Sequence, residues 1–87
     1  MVQVCPTCGK EVKPNLRYPR YLCRSCVERA ADVDGELIQF FQASSDGRYA
    51  ARYVTTGADY PNHECFVDGV RCWADEARFG GIVVQTV

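Results

Sequence analysis

Two CxxC pairs, Cys5/Cys8 and Cys23/Cys26, stand fifteen residues apart near the start of this chain. Each pair can point two thiolates at a common centre, and two such pairs supply the four sulfurs of a tetrahedral site. Zinc is the ion that such a donor set takes most naturally, since it accepts four soft thiolates and needs no redox chemistry. With every position filled by sulfur, none is left open for water, so the expected role of the metal is structural. Gly9, just past the second cysteine, supplies the backbone freedom that the first metal-binding turn needs.

Two further cysteines, Cys65 and Cys72, flank an Asp68-Gly69 turn signal together with Val67 and Val70. A two-residue hairpin there pairs Val67 with Val70, Phe66 with Arg71 and Cys65 with Cys72. Directly opposed at a hydrogen-bonded position, the two sulfurs are poorly placed for a disulfide, and the expected role is that of small buried apolar residues. His63 is the single histidine. It lies two residues before Cys65, but at the end of a loop with no third orienting group, so it reads as an exposed or capping residue and not as a catalytic base.

A third group interleaves cations with rings: Lys10, Lys13, Arg17, Tyr18, Arg20, Tyr21 and Arg24. That pattern suits two kinds of partner. Exposed arginines and tyrosines dominate protein interfaces, and the same side chains can track phosphates and stack on bases. The binding candidates are therefore Lys13, Arg17, Tyr18, Arg20, Tyr21 and Arg24. Residues 1–31 sum to +4 and residues 32–87 to −5, for a net formal charge of −1. Four thiolates with one divalent cation would lower the first figure to +2 and the net to −3. A negative centre inside the basic segment weighs against nucleic acid, and a protein partner is the first expectation. Asp75, Glu76, Arg78 and Gly80-Gly81 form the most function-like group of the second half, though local ion pairing and a glycine-stopped turn account for the same residues.

The elements that must position these groups follow from the local patterns. A turn-rich loop about Pro14-Asn15 leads into an extended Arg17–Leu22 segment, which Pro19 confines to an edge or a loop. The run Val27–Asp32 reads as a short helix with Ser25 as a possible N-cap. Asp32-Val33-Asp34-Gly35 is a boundary that divides a metal module, 1–33, from a sheet module, 34–87, expected to fold as one cooperative unit. Leu37–Ala43 and Tyr49–Thr55 read as a hairpin. With Asp46-Gly47 as its turn, Phe40 would face Tyr53 and Ile38 would face Thr55. Residues 75–81 read as a connection with room for one helical turn stopped by glycine, and Ile82–Val87 as a last strand inside the sheet.

CPTCG, RYPRYLCRSC and the closing DGVRCWADEARFGGIVVQ together resemble small bacterial zinc-ribbon proteins, and a knuckle followed by a helix-opening pair resembles the treble-clef variant of that family. The resemblance implies a structural zinc and no activity. The expected fold is small α+β: a four-cysteine zinc module with one short helix, packed on an antiparallel sheet of four or five strands. Nothing at the start of the chain reads as a signal peptide, and its longest apolar run, Ile82–Val84, is too short for a membrane. A cytoplasmic location is expected, where thiols stay reduced. Homo-oligomerisation through an unpaired strand edge is a further expectation.

Overall fold

The computed structural model describes residues 2–43, 47–77 and 81–87. Among these residues, seven short strands and one helical turn make up the regular structure. β1 (Gln3–Val4) and β2 (Glu11–Val12) form a minimal ribbon around the first cysteine pair, and α1 (Arg24–Val27) carries the second. β3 (Ile38–Gln42) pairs with β4 (Tyr49–Tyr53). β5 (Glu64–Val67), β6 (Val70–Glu76) and β7 (Ile82–Thr86) form a three-stranded antiparallel sheet with β6 in the centre.

The strands therefore divide into sheets of two, two and three, and not into one sheet of four or five. The reason lies at the edges. β4 is flanked by the loop that follows it, with the Tyr53 amide bonded to the Ala58 carbonyl and the Tyr60 amide to Ala51. β5 is closed by Ala31, which exchanges two backbone bonds with Phe66. Local segments thus occupy the backbone groups through which β4 and β5 would have joined.

α1 also lies elsewhere than expected. Cys23, with extended backbone, is its N-cap, so the helix begins at Arg24 and contains Cys26. Ser25 is inside the helix. Beyond Val27 the chain tightens into i→i+3 bonds, Arg29 to Cys26 and Ala30 to Val27. This drops Ala30, fully buried, into the core and turns Ala31 toward β5. The requirement to aim Cys26 inward thus decides where the helical turn begins.

The β5–β6 register agrees with expectation at Val67–Val70, Phe66–Arg71 and Cys65–Cys72. Asp68 and Gly69 both have positive φ, 51° and 80°, as a type I′ turn requires. In the β3–β4 hairpin the pairs are Phe40–Ala51 and Ile38–Tyr53, two residues from the expected ones. Gly47, at φ 70°, donates to the Ala43 carbonyl and Ala43 to that of Arg48, which closes a four-residue loop where a two-residue turn was expected. Asp46 lies outside the described residues. Because the slip is even, each side chain keeps its expected face. Residues 75 and 76 belong to β6, not to a connection, and the Ala77 amide bonds to the Gly81 carbonyl; the rest of the expected turn, with Arg78 and Gly80, falls on 78–80, outside the described residues.

One apolar cluster runs through the molecule. It joins Cys5, Leu22, Cys23, Cys26 and Ala30 to Ile38, Ala51, Cys65, Val67, Cys72, Ala74 and Val84. Backbone bonds stitch the two halves together as well: Leu22 to Val84, Thr86 to Arg20, and Ile38 to Ala30. β7, expected inside the sheet, meets on its outer side only a single bridge, Tyr21 to Gln85. On the surface, the Arg29 guanidinium holds the Asp68 carboxylate at 2.8 Å, which keeps the Asp68 pKa below the usual carboxylate range and raises that of Arg29. The Asp32 carboxylate accepts the amides of Asp34 and Glu36 and the Tyr53 hydroxyl, tying the boundary turn to β4.

Candidate metal centre

The first cysteine pair sits in a knuckle folded by two backbone bonds. The Cys5 amide donates to Lys10 and the Gly9 amide to Cys5, both at 2.8 Å. Gly9 has φ 76°, a conformation that side chains with a Cβ rarely adopt. The second pair comes from the N-cap and the third residue of α1. These two elements bring Cys5, Cys8, Cys23 and Cys26 together, with all four sulfurs within 4.8 Å of one another.

The spacing fits a metal. The Cys5 and Cys26 sulfurs are 3.6 Å apart, as are those of Cys8 and Cys23. Four sulfurs at about 2.3 Å from a central ion lie about 3.8 Å from one another in a tetrahedron. Donors outside the cluster face the sulfurs: the Thr7 hydroxyl and the Cys23 amide each lie 3.3 Å from Cys5, and the Arg29 guanidinium lies 3.3 Å from Cys26. Hydrogen bonds of this kind orient the ligands and spread their charge.

Electrostatics inside the cluster are uneven. At Cys5, burial opposes ionisation, but the Thr7 hydroxyl and the amides of Cys23, Thr7 and Cys8 outweigh it and bring the thiol down to about 5. At Cys26, burial pushes the thiol up to about 12, reinforced by the Cys23, Cys8 and Cys5 sulfurs against the Thr7 hydroxyl. Thiols this close cannot all ionise next to one another unless a cation offsets their charge. Cys5, Cys23 and Cys26 are buried, while Cys8 stands at the surface and offers the ion a way in.

Cys65 and Cys72 take no part in this cluster. Both are buried with free thiols, and burial pushes Cys65 up to about 12 and raises Cys72. His63 is half-buried, not the exposed loop residue expected. Its ring stacks between Tyr49 at 4.2 Å and Trp73 at 5.2 Å, and Nδ1 donates to the Ala74 carbonyl at 2.7 Å. Besides these aromatic neighbours, the Asp75 carboxylate stands 3.8 Å from Nδ1.

The basic and aromatic residues spread over one side of the metal module. Lys13, Arg17, Arg20 and Arg24 are exposed, whereas Tyr18 and Tyr21 are half-buried. The Tyr21 hydroxyl donates to the Lys13 carbonyl at 2.6 Å. Tyr18 and Arg20 line a shallow groove of about 410 Å³ with Trp73, Asp75, Glu76 and Val83. Trp73, 45% exposed, is the surface residue to which sequence reasoning gave no role. The signal was there: the hairpin register put it on the face opposite the cysteines.

Searches against family models, curated proteins and solved structures found no match to this chain. Among the described residues, no helix is long and apolar enough to cross a membrane.

Proposed function

We propose that this protein is a non-enzymatic, zinc-stabilised interaction module that binds another protein. The observation that carries the reading is the closed set of four clustered sulfurs. A centre with only protein thiolates has no site for substrate or water, so its use is to hold a surface in shape. The surface held there combines Tyr18 and Arg20 with the half-exposed Trp73, residue types that anchor protein interfaces. Asp75 and Glu76 beside them favour a partner that carries basic groups.

A nucleic-acid ribbon is the second reading. It is favoured by Lys10, Lys13, Arg17, Arg20 and Arg24, which are exposed and enter no ion pair among the described residues. It is disfavoured by Tyr21, whose hydroxyl is tied to the backbone, and by the acids beside Arg20. The chain has one tryptophan, so its emission reports on the groove directly. Native mass spectrometry of protein purified without added metal should show one zinc per chain. Titration with single- and double-stranded oligonucleotides at low salt should leave the Trp73 emission and the anisotropy of labelled strands unchanged. Tight oligonucleotide binding that weakens steeply with salt would replace the protein-partner reading with the nucleic-acid one.

A further inference from the structure

β3 has one open edge, and that edge lies in a groove. The groove, of about 750 Å³, runs between α1 and the sheets, with Val27 and Glu28 on one wall and Phe40, Phe41, Val54 and Ile82 on the others. The direction of the β3 peptide groups can be worked out from its ends. The Ile38 amide donates to the Ala30 carbonyl, away from β4. In an antiparallel ladder, alternate residues share that direction, so the amides of Phe40 and Gln42 also point away from β4. Neither has a backbone partner among the described residues. Unpaired strand amides in a groove lined by Val27, Phe40, Phe41, Val54 and Ile82, with Arg24 and Glu28 at its helix side, call for one kind of occupant, another extended chain.

The open run is short and stopped at both ends. Ala30 and Ala31 cover its start, and the Gly81 amide bonds to the Gln42 side chain at its finish. The flank of a second folded sheet cannot lie flush along such a run, whereas a single extended segment can enter it. Phe40 and Ile82 face the core side of the groove, and Phe41 lies on the opposite face of β3. A strand laid there would thus meet apolar surface with its side chains on both faces.

We propose that the free edge of β3 is a docking site for an extended, apolar-rich segment of a partner protein, which adds to β3 as a third strand through the peptide groups of Phe40 and Gln42. This rests on the protein-interaction reading and gives it a second surface, separate from the Trp73 groove.

The test uses the metal-loaded full chain and an acetylated peptide alternating valine with threonine, closed by a lysine at each end. Amide exchange and chemical shifts are followed by NMR. In the free protein, the Phe40 and Gln42 amides should exchange fast while those of Gln39 and Phe41 are protected by β4. Peptide should protect and shift Phe40 and Gln42. Gln42→Pro removes one outward donor and should weaken binding about fivefold. Val54→Glu, an exposed position on the groove wall, serves as the second variant should the proline disturb the fold, and it too should weaken binding. Slow exchange at Phe40 and Gln42 in dilute free protein would overturn the proposal, as would peptide shifts confined to Tyr18–Tyr21, or no binding at millimolar peptide. Protection that grows with protein concentration alone would overturn it in favour of self-pairing. A protein partner that shifts Trp73 and leaves β3 unchanged would refute this docking site but leave the interaction reading standing.

Discussion

Removing the metal should unfold the chain and not merely loosen one end of it. Among the described residues, the buried apolar core apart from cysteines and alanines consists of Leu22, Ile38, Val67 and Val84. Burying four such side chains contributes about 6–12 kcal/mol at about 1.5–3 kcal/mol each. A four-thiolate zinc site contributes about 10–16 kcal/mol near neutral pH. A zinc centre of the proposed kind would therefore match or exceed those four residues, and its cysteines share one cluster with them: Cys5, Cys23 and Cys26 lie in the same core as Val67 and Val84. Cys26→Ser, at a fully buried ligand, leaves three sulfurs and a polar hydroxyl among apolar neighbours. The assay is amide exchange of the β5–β6 hairpin, remote in sequence from the ligands, alongside a thermal melt, before and after a strong chelator. Hairpin protection should vanish together with the metal, and Cys26→Ser should resemble the stripped protein. A chelator that removes the ion by mass, yet leaves the hairpin protected and the melt unmoved, would refute the reasoning.

Other consequences can be measured separately. Cys65 and Cys72 should resist iodoacetamide at neutral pH in the folded, metal-loaded protein and react once it unfolds, because burial raises both thiols; rapid modification of either, read by peptide mass, would contradict that burial. The Asp32 carboxylate is held below its usual range by the Glu36 amide, the Tyr53 hydroxyl and the Asp34 amide. A depressed carboxyl stabilises the fold above its unfolded value and loses that contribution as pH falls through the folded one. Asp32→Asn should therefore lower the melting temperature near neutral pH and narrow its gap to the wild type in acid; a constant gap would argue against it. Gly69→Ala should cost about 1–2 kcal/mol in chemical denaturation, since Gly69 holds φ 80° in the β5–β6 turn. Val84→Ala should cost about 2–3 kcal/mol by the same measure, from lost burial plus a cavity.

The parts of this structure that were legible in advance are those in which short-range chemistry decides. CxxC spacing placed the four sulfurs, and Asp68-Gly69, able to take positive φ at both positions, set the register that opposes Cys65 to Cys72. The turn before β4 was less decisive. Asp46-Gly47 has the same letters, yet a longer loop won, and only the distribution of side chains between faces survived. The helix was misplaced because propensity favoured Val27–Asp32, whereas the aim of Cys26 required a start at Arg24 with Cys23 as its N-cap. Sheet composition was not legible, because Ala31 and residues 58–60 close edges by contacts distant in the chain or inconspicuous in composition. His63 found its aromatic neighbours for the same reason: Tyr49 comes from another sheet.

The hydrogen bonds from Leu22 to Val84 and from Thr86 to Arg20 have a consequence for the order of events during synthesis. All four cysteines are made before β7, the strand whose backbone holds Arg20 and Leu22 next to Cys23. The nascent knuckle must therefore hold its ion, if it acquires one early, without its final covering. Loss of the Thr86–Arg20 bond would be felt beside Cys23, where the thiols would become easier to strip or oxidise.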